Sequence, residues 1–242
     1  MSLKKQVILI TGAAGGVGSA AAITLAQAGA HVILLDKNIP KLESTYDSIV
    51  AIGAPEPIMY PFDLAGASEN DYQELANRVE FTYGSLQGLL HCAAEFIAFT
   101  PMALLDTKDW GHSLNVNLSA PFLLTRVLLP VLQKSKTASI VFTSDSTVRI
   151  AQAYTGAYGV SKIAVEALAK IMAEELESSN KIRVNVLVPG PVDSPLRNRA
   201  FPGEDKAELP PTTSLAPAVL YLFGDASIGI TGQTIDAHTI HL

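Results

Sequence analysis

The chain has 242 residues, 48% of them hydrophobic and 17% charged, with a formal net charge of -6 at pH 7. That is apolar material for one sizeable core, and an acidic balance offers no basic footprint for nucleic acid or an anionic membrane surface. The single cysteine, Cys92, excludes an internal disulfide. Set in the apolar run Leu89-Leu90-His91-Cys92-Ala93-Ala94, it reads as a buried thiol in a reducing compartment, and with no apolar run of membrane-spanning length a cytoplasmic protein is expected.

Elements follow in a regular alternation. Gln6 to Ile10 is a short apolar strand, and a glycine-rich turn leads into an alanine-rich helix from Val17 to Ala28 that stops at Gly29. A second strand, His31 to Leu35, ends at Asp36. Then come a helix from Pro40 to Ile52, a strand from Pro57 to Phe62, a helix from Glu69 to Tyr83 and a strand from Leu86 to His91. The second half keeps the rhythm. Asp109 to Leu132 reads as a helix bent at Pro121, Ser139 to Thr143 as a strand, Tyr154 to Ser178 as a long helix, and Ile182 to Val188 as a strand stopped by Pro189-Gly190-Pro191. Asp193 to Pro211 is polar and broken by prolines, as a substrate lid or binding loop would be. A helix from Leu215 to Phe223 and a strand from Thr231 to Asp236 close the chain. Repeated βα units of this kind specify a parallel sheet covered by helices on both faces, in one domain.

The glycine turn, Gly12-Ala13-Ala14-Gly15-Gly16-Val17-Gly18, sits between a strand end and a helix N-terminus. Unpaired backbone N–H groups and the helix dipole make such a junction an anion site, and glycines let a pyrophosphate approach. Gly12 makes the tight turn, Gly16 admits the ligand, and Gly18 lets helix and sheet pack. Asp36, at the end of the second strand, is placed to accept from both ribose hydroxyls and repel a 2'-phosphate, so NAD is favoured over NADP even with Lys37 next door. Asp63 at the third strand end suits the adenine amino group, with Leu64 offering a backbone contact; a plain turn-forming aspartate is the competing reading.

Tyr158 and Lys162 lie one helical turn apart, so one helix face carries both. An ammonium near the phenol favours its ionised form and turns a poor acid into a usable proton donor or acceptor.

The spacing Thr11-Gly12-x-x-x-Gly16-x-Gly18 together with Tyr158-x-x-x-Lys162 resembles the classical short-chain dehydrogenase/reductase family. The likeness extends through Asp63, Asn115-Val116-Asn117-Leu118, Ser139 to Ser144 and Pro189-Gly190, and Phe201-Pro202-Gly203-Glu204-Asp205 resembles its YciK-like branch. The resemblance implies a single-domain Rossmann fold, α/β, with a doubly wound seven-stranded parallel sheet, and hydride transfer between a nicotinamide cofactor and a small-molecule alcohol or carbonyl substrate. By it Tyr158 exchanges the proton with substrate oxygen, Lys162 lowers the tyrosine pKa and holds the nicotinamide ribose, and Asn117 props the helix and anchors a water. The backbone near Val192 and the hydroxyl of Ser194 would hold the carboxamide, and Gly15, Val17 and Ala93 join the cofactor-binding set. A homodimer or homotetramer is expected through the two long helices, whose apolar residues Leu114, Leu118, Phe122, Val165, Leu168, Ile171 and Met172 exceed what one sheet face needs.

Three departures stand out. The family's catalytic serine, thirteen residues before the tyrosine, is here Asp145, flanked by Ser144 and Ser146. An ionised aspartate accepts but does not donate, and beside Tyr158 it would raise the phenol's pKa. Three readings stay open: Ser144 or Ser146 serves through a local shift, Asp145 works protonated in a dry pocket, or the chain is a catalytically weakened or inactive dinucleotide-binding protein. His91-Cys92-Ala93-Ala94 replaces the family's Asn-Asn-Ala-Gly, which costs an amide that ties the sheet. Finally, His238 and His241 near the end have a spacing compatible with a metal, but with no third ligand a surface pair is expected and no metal site is assigned.

Overall fold

In the computed structural model, which describes residues 2–240, the apolar runs form one seven-stranded sheet in the order β3-β2-β1-β4-β5-β6-β7. The strands are β1 Val7–Thr11, β2 His31–Asp36, β3 Ile58–Pro61, β4 Gly88–His91, β5 Ala138–Thr143, β6 Ile182–Val188 and β7 Thr234–Asp236, and every neighbouring pair is parallel. Successive residues of a strand face opposite sides, and two cores result. Val7 and Leu9 of β1 join Leu89, Ile140, Phe142 and Val186 on one face, while Ile8 and Ile10 join Val32, Leu34, Leu90 and Val141 on the other.

Eight helices occur among the described residues: α1 Gly16–Gln27, α2 Ile39–Ala51, α3 Glu69–Tyr83, α4 Thr107–Leu114, α5 Ala120–Gln133, α6 Gly156–Glu177, α7 Pro195–Ala200 and α8 Ala216–Phe223. Buried residues of α3, α5 and α6 (Leu75, Leu124, Leu128, Val165, Ala169) fill the first core; those of α1, α2 and α8 (Ala21, Leu25, Leu42, Ile49, Leu222) fill the second. This is the single-domain α/β Rossmann-type arrangement. The chain reverses its direction of travel across the sheet between β1 and β4, so a crevice opens at the C-terminal strand ends there.

Several expectations are corrected by local geometry. The long helix expected from Asp109 to Leu132 is interrupted: α4 passes through a π-helical turn, Asn115–Ser119, before α5 begins. Ala120 N–H reaches back to the Asn115 carbonyl, and Pro121 next to it has no N–H to restore the regular ladder. The helix expected from Tyr154 starts two residues later, because Tyr154 has φ 72 and Gly156 φ 54, both left-handed. The helical stretch Thr107–Gln133 is also long and apolar enough to cross a membrane by length and composition, which the sequence reading did not anticipate; half of it is buried, with α5 against α3, β4 and β5. Core helices meet the same criterion. The segment from Asp193 to Pro211 carries α7 and a 3-10 turn at Lys206–Glu208, and its neck is pinned by a parallel bridge between Asp193 and Pro211, with Asp193 N–H donating to the Pro210 carbonyl at 2.9 Å.

Candidate active site

The glycine turn forms the floor of a cleft of about 310 Å³ at the crossover point, lined by Gly12, Gly15, Gly16, Val17 and Gly18, by Asp36, Asp63 and Leu64, and by Ala93 and Ser194. A side chain cannot be added at its two tightest positions. A Cβ on Gly12, which has φ 66, would lie 2.5 Å from Ala93 N, and one on Gly18 would lie 2.1 Å from the Gly12 carbonyl oxygen. The N-cap of α1 is Gly15, with no side chain capping the helix, so its first N–H groups face the cleft unpaired. This cradle fits a dinucleotide pyrophosphate.

Asp36 is held rigidly at the edge. Its Oδ2 accepts from Ala14 N–H at 3.1 Å and its Oδ1 from Asn38 N–H at 2.9 Å. Asp63 is exposed and accepts from Ala65 N–H at 3.1 Å, the turn-forming bond that competed with its ligand reading, yet it also lines the cleft. Tyr72 Oη donates to the Leu64 carbonyl at 2.7 Å, fixing that backbone. Ser194 caps α7 by accepting from Arg197 N–H at 3.2 Å; Val192, two residues earlier, is buried and does not line the cleft. Lys37, noted beside Asp36 in the sequence, faces Glu95 across the mouth at 4.0 Å, and sequence reasoning missed Arg199, a cleft-lining cation on α7. Only a positive residue inside a polar segment marked Arg199 beforehand.

Beyond the cleft, α6 carries Tyr158 and Lys162 on one buried face, 7% and 4% exposed. Lys162 Nζ donates to the Thr143 carbonyl at the end of β5 at 2.9 Å and stands 5.9 Å from the centre of the Tyr158 ring. Asn117 comes from the π-helical turn. Its amide hydrogens go to the Glu95 carbonyl at 2.9 Å and to Ser161 Oγ at 3.0 Å, and its oxygen accepts from Glu95 N–H at 2.7 Å. It therefore clasps the chain after β4 to α6, one residue from Lys162. The π turn is what aims it there, because one extra residue per turn rotates the side chain off the α4 face.

The departure at Asp145 proves to be direct. Tyr158 Oη donates to Asp145 Oδ2 at 2.8 Å, and Asp145 Oδ1 accepts from Thr147 N–H at 2.8 Å. Both carboxyl oxygens thus accept. Ser144, one of the two serines expected to serve through a local shift, is turned away: its hydroxyl donates to Glu166 Oε1 at 2.6 Å, a carboxylate also paired with Arg149 at 3.2 Å. The expected depression of the tyrosine's pKa is corrected as well. Burial foremost, then the Asp145 charge and its hydrogen bond, hold the Tyr158 phenol well above the ordinary range, while burial pulls Lys162 down against the opposing pull of Asp145. Lys162 gives its hydrogen bond to Thr143 rather than to the phenol.

Around the β4 end, His91 Nε2 meets Thr125 Oγ1 at 2.9 Å and the ring stacks on Phe142 at 4.7 Å. Cys92, half-buried and lining the cleft, lies 3.4 Å from Thr143 Oγ1; burial pushes its thiol up to about 11. The strand keeps its pairing without the missing amide, with Cys92 N–H donating to the Thr11 carbonyl at 3.2 Å and Ala93 N–H to Thr11 Oγ1 at 3.2 Å. His238 packs its ring against Gly190, where a Cβ would lie 2.6 Å from Nε2; His241 lies outside the described residues. No group of three metal-ligating side chains occurs among the described residues.

Fold and cleft of this kind define a dinucleotide-binding Rossmann architecture, and comparison with known proteins makes the assignment specific. Residues 6–205 match the family model described as short chain dehydrogenase, and the chain belongs to that family. It is 38% identical over 235 residues to the uncharacterized oxidoreductase YciK of Escherichia coli K12, covering 97% of this chain and 92% of the relative. Two similar solved structures are cofactor complexes. A short-chain dehydrogenase-type protein from Shigella flexneri complexed with NADP superposes with TM-score 0.94 at 38% identity, covering 98% of each chain. One from Escherichia coli CFT073 complexed with NADPH gives 0.93 at 39%, covering 97% of each.

Proposed function

We propose that the protein transfers a hydride between a nicotinamide dinucleotide and a polar carbon–heteroatom double bond, the alcohol/carbonyl pair being the family's usual form. The observation that carries this reading is the buried Tyr158/Lys162 pair, braced through Ser161 by Asn117, whose other partner, Glu95, lines the glycine-floored cleft. A bound nicotinamide supplies or accepts the hydride. Tyr158 exchanges the proton with the substrate heteroatom, Lys162 holds the ribose side and relays charge, and Val192 and Ser194 border the carboxamide position.

Asp36 supports NAD(H), because its fixed carboxylate would face a 2'-phosphate directly. The NADP and NADPH in the two similar structures weigh the other way. Fluorescence titration with NADH and NADPH side by side separates the two: NADH is expected to bind about tenfold or more tightly, and a preference for NADPH overturns the Asp36 argument. Exposed Phe122 and Ile171 support the homo-oligomer reading, although Val165 is taken up by the protein's own core. A second reading, a dinucleotide-binding protein with weakened chemistry, is favoured by the Tyr158–Asp145 bond. Cofactor binding with no turnover on any carbonyl or imine would select it.

A further inference from the structure

The geometry points to a substrate whose reducible bond ends in nitrogen: a planar cyclic imine, held in protonated form by Asp145 and interconverted with a secondary amine. This rests on the dinucleotide-dependent reading above and narrows its substrate.

Any heteroatom that exchanges a proton with Tyr158 must come to the phenol oxygen, and a carboxylate oxygen already stands 2.8 Å from it. Reduction of a carbonyl builds negative charge on oxygen, where a neutral donor helps and a carboxylate repels. Oxidation of an amine builds positive charge on nitrogen, and the same carboxylate stabilises it. The reverse reaction starts from that ion pair and crosses the same barrier. No neutral hydroxyl compensates at Ser144, whose proton goes to Glu166.

The surroundings agree. Phe96 meets the Tyr158 ring edge-on at 5.3 Å, Phe99 meets Phe96 at 5.0 Å and Phe201 meets Phe99 at 5.2 Å, so a row of aromatic rings leads away from the phenol. Arg197 stands over Phe201, 3.8 Å from its ring centre, and Arg199 over Phe96 at 5.5 Å, so of the three rings the partly exposed Phe99 is the one left to meet a flat substrate. The charged and titratable groups nearby are accounted for: Lys162 is bonded to Thr143, Cys92 lies under β5's end, Arg197 is paired with Glu204, Arg149 with Glu166, and Arg199 lines the dinucleotide cleft.

The step balances with the nicotinamide alone. In reduction a hydride leaves reduced nicotinamide and forms a C–H bond at the imine carbon. The C=N π pair becomes the nitrogen lone pair, which takes a proton from Tyr158, and solvent restores that proton. In oxidation the ammonium first loses a proton to solvent, the α C–H pair goes to oxidised nicotinamide, and the lone pair closes the C=N bond to leave the protonated imine.

Two measurements test this. Calorimetry on the cofactor-free protein at neutral pH should show tetrahydroisoquinolinium binding about tenfold or more tightly than tetralol, and Asp145→Asn should erase the difference. With NADH, kcat/KM for dihydroisoquinoline should exceed that for tetralone by about tenfold or more, and Asp145→Ser should reverse the order. Faster ketone than imine reduction by the unaltered protein, or an ammonium preference that survives Asp145→Asn, overturns the proposal while leaving the oxidoreductase reading intact. Failure to bind NADH or NADPH overturns both. If either variant fails to fold, the imine-to-ketone ratio of the unaltered protein decides.

Discussion

The two sides of the crossover differ in how they are built. The β1–β2 side presents backbone: glycines whose missing side chains leave room, an uncapped helix end, and an aspartate locked by two N–H donors. The β4–β5–β6 side presents side chains in contact with one another, Tyr158 with Asp145, Lys162 with Thr143, Asn117 with Glu95 and Ser161. Binding by backbone survives changes in neighbouring side chains. Chemistry by contact does not: two unit charges 4 Å apart interact by about 4 kcal/mol at an effective dielectric of 20, enough for one carboxylate to redirect a site.

The sharpest way to break this contrast is Tyr158→Phe. Turnover on whichever substrate is accepted should fall about 10²–10⁴-fold, measured by NADH consumption, while NADH affinity stays within a few-fold. An equal loss of affinity would show that the two sides are not separable. Asn117→Ala should act on stability instead. It leaves the Glu95 N–H and carbonyl without their partner, a cost of about 1–3 kcal/mol readable in urea unfolding, with kcat falling as α6 loses its brace.

The smallest effect at neutral pH concerns His91, at the boundary between the two sides. Burial, with a lesser contribution from Lys162, pulls its pKa down to about 3, whereas an unfolded histidine titrates near 6.5. Below that value the unfolded chain binds a proton that the folded chain refuses. Stability contributed by neutral His91 is therefore complete above about pH 6.5 and is lost as pH falls toward about 3, by up to about 1.4 kcal/mol per unit. His91→Asn should flatten that part of an unfolding free-energy profile.

Strand number, the parallel sheet and most helix positions were legible because apolar runs bounded by glycine, proline and aspartate leave few alternatives. Ile182–Val188 and Glu69–Tyr83 fall where the pattern put them. The glycine turn was legible for the same reason, as its chemistry is carried by absent side chains. What stayed hidden depended on contacts between distant residues or on backbone phase. The left-handed Tyr154 delays α6, and Pro121 marked a bend without revealing a π turn. Nothing local to Ser144 says that Glu166, twenty-two positions on, will claim its hydroxyl. The identity of Asp145 raised the right question, and only its 2.8 Å bond to Tyr158 supplied the geometry.

The clasp between Asp193 and Pro211 has an evolutionary corollary. Because both ends of that excursion are fastened beside the sheet, its interior can lengthen, shorten or change composition with its two anchor points held fixed. A chimera carrying a foreign stretch between those anchors would keep the sheet and dinucleotide cradle as a common chassis, and would exchange selectivity as a cassette.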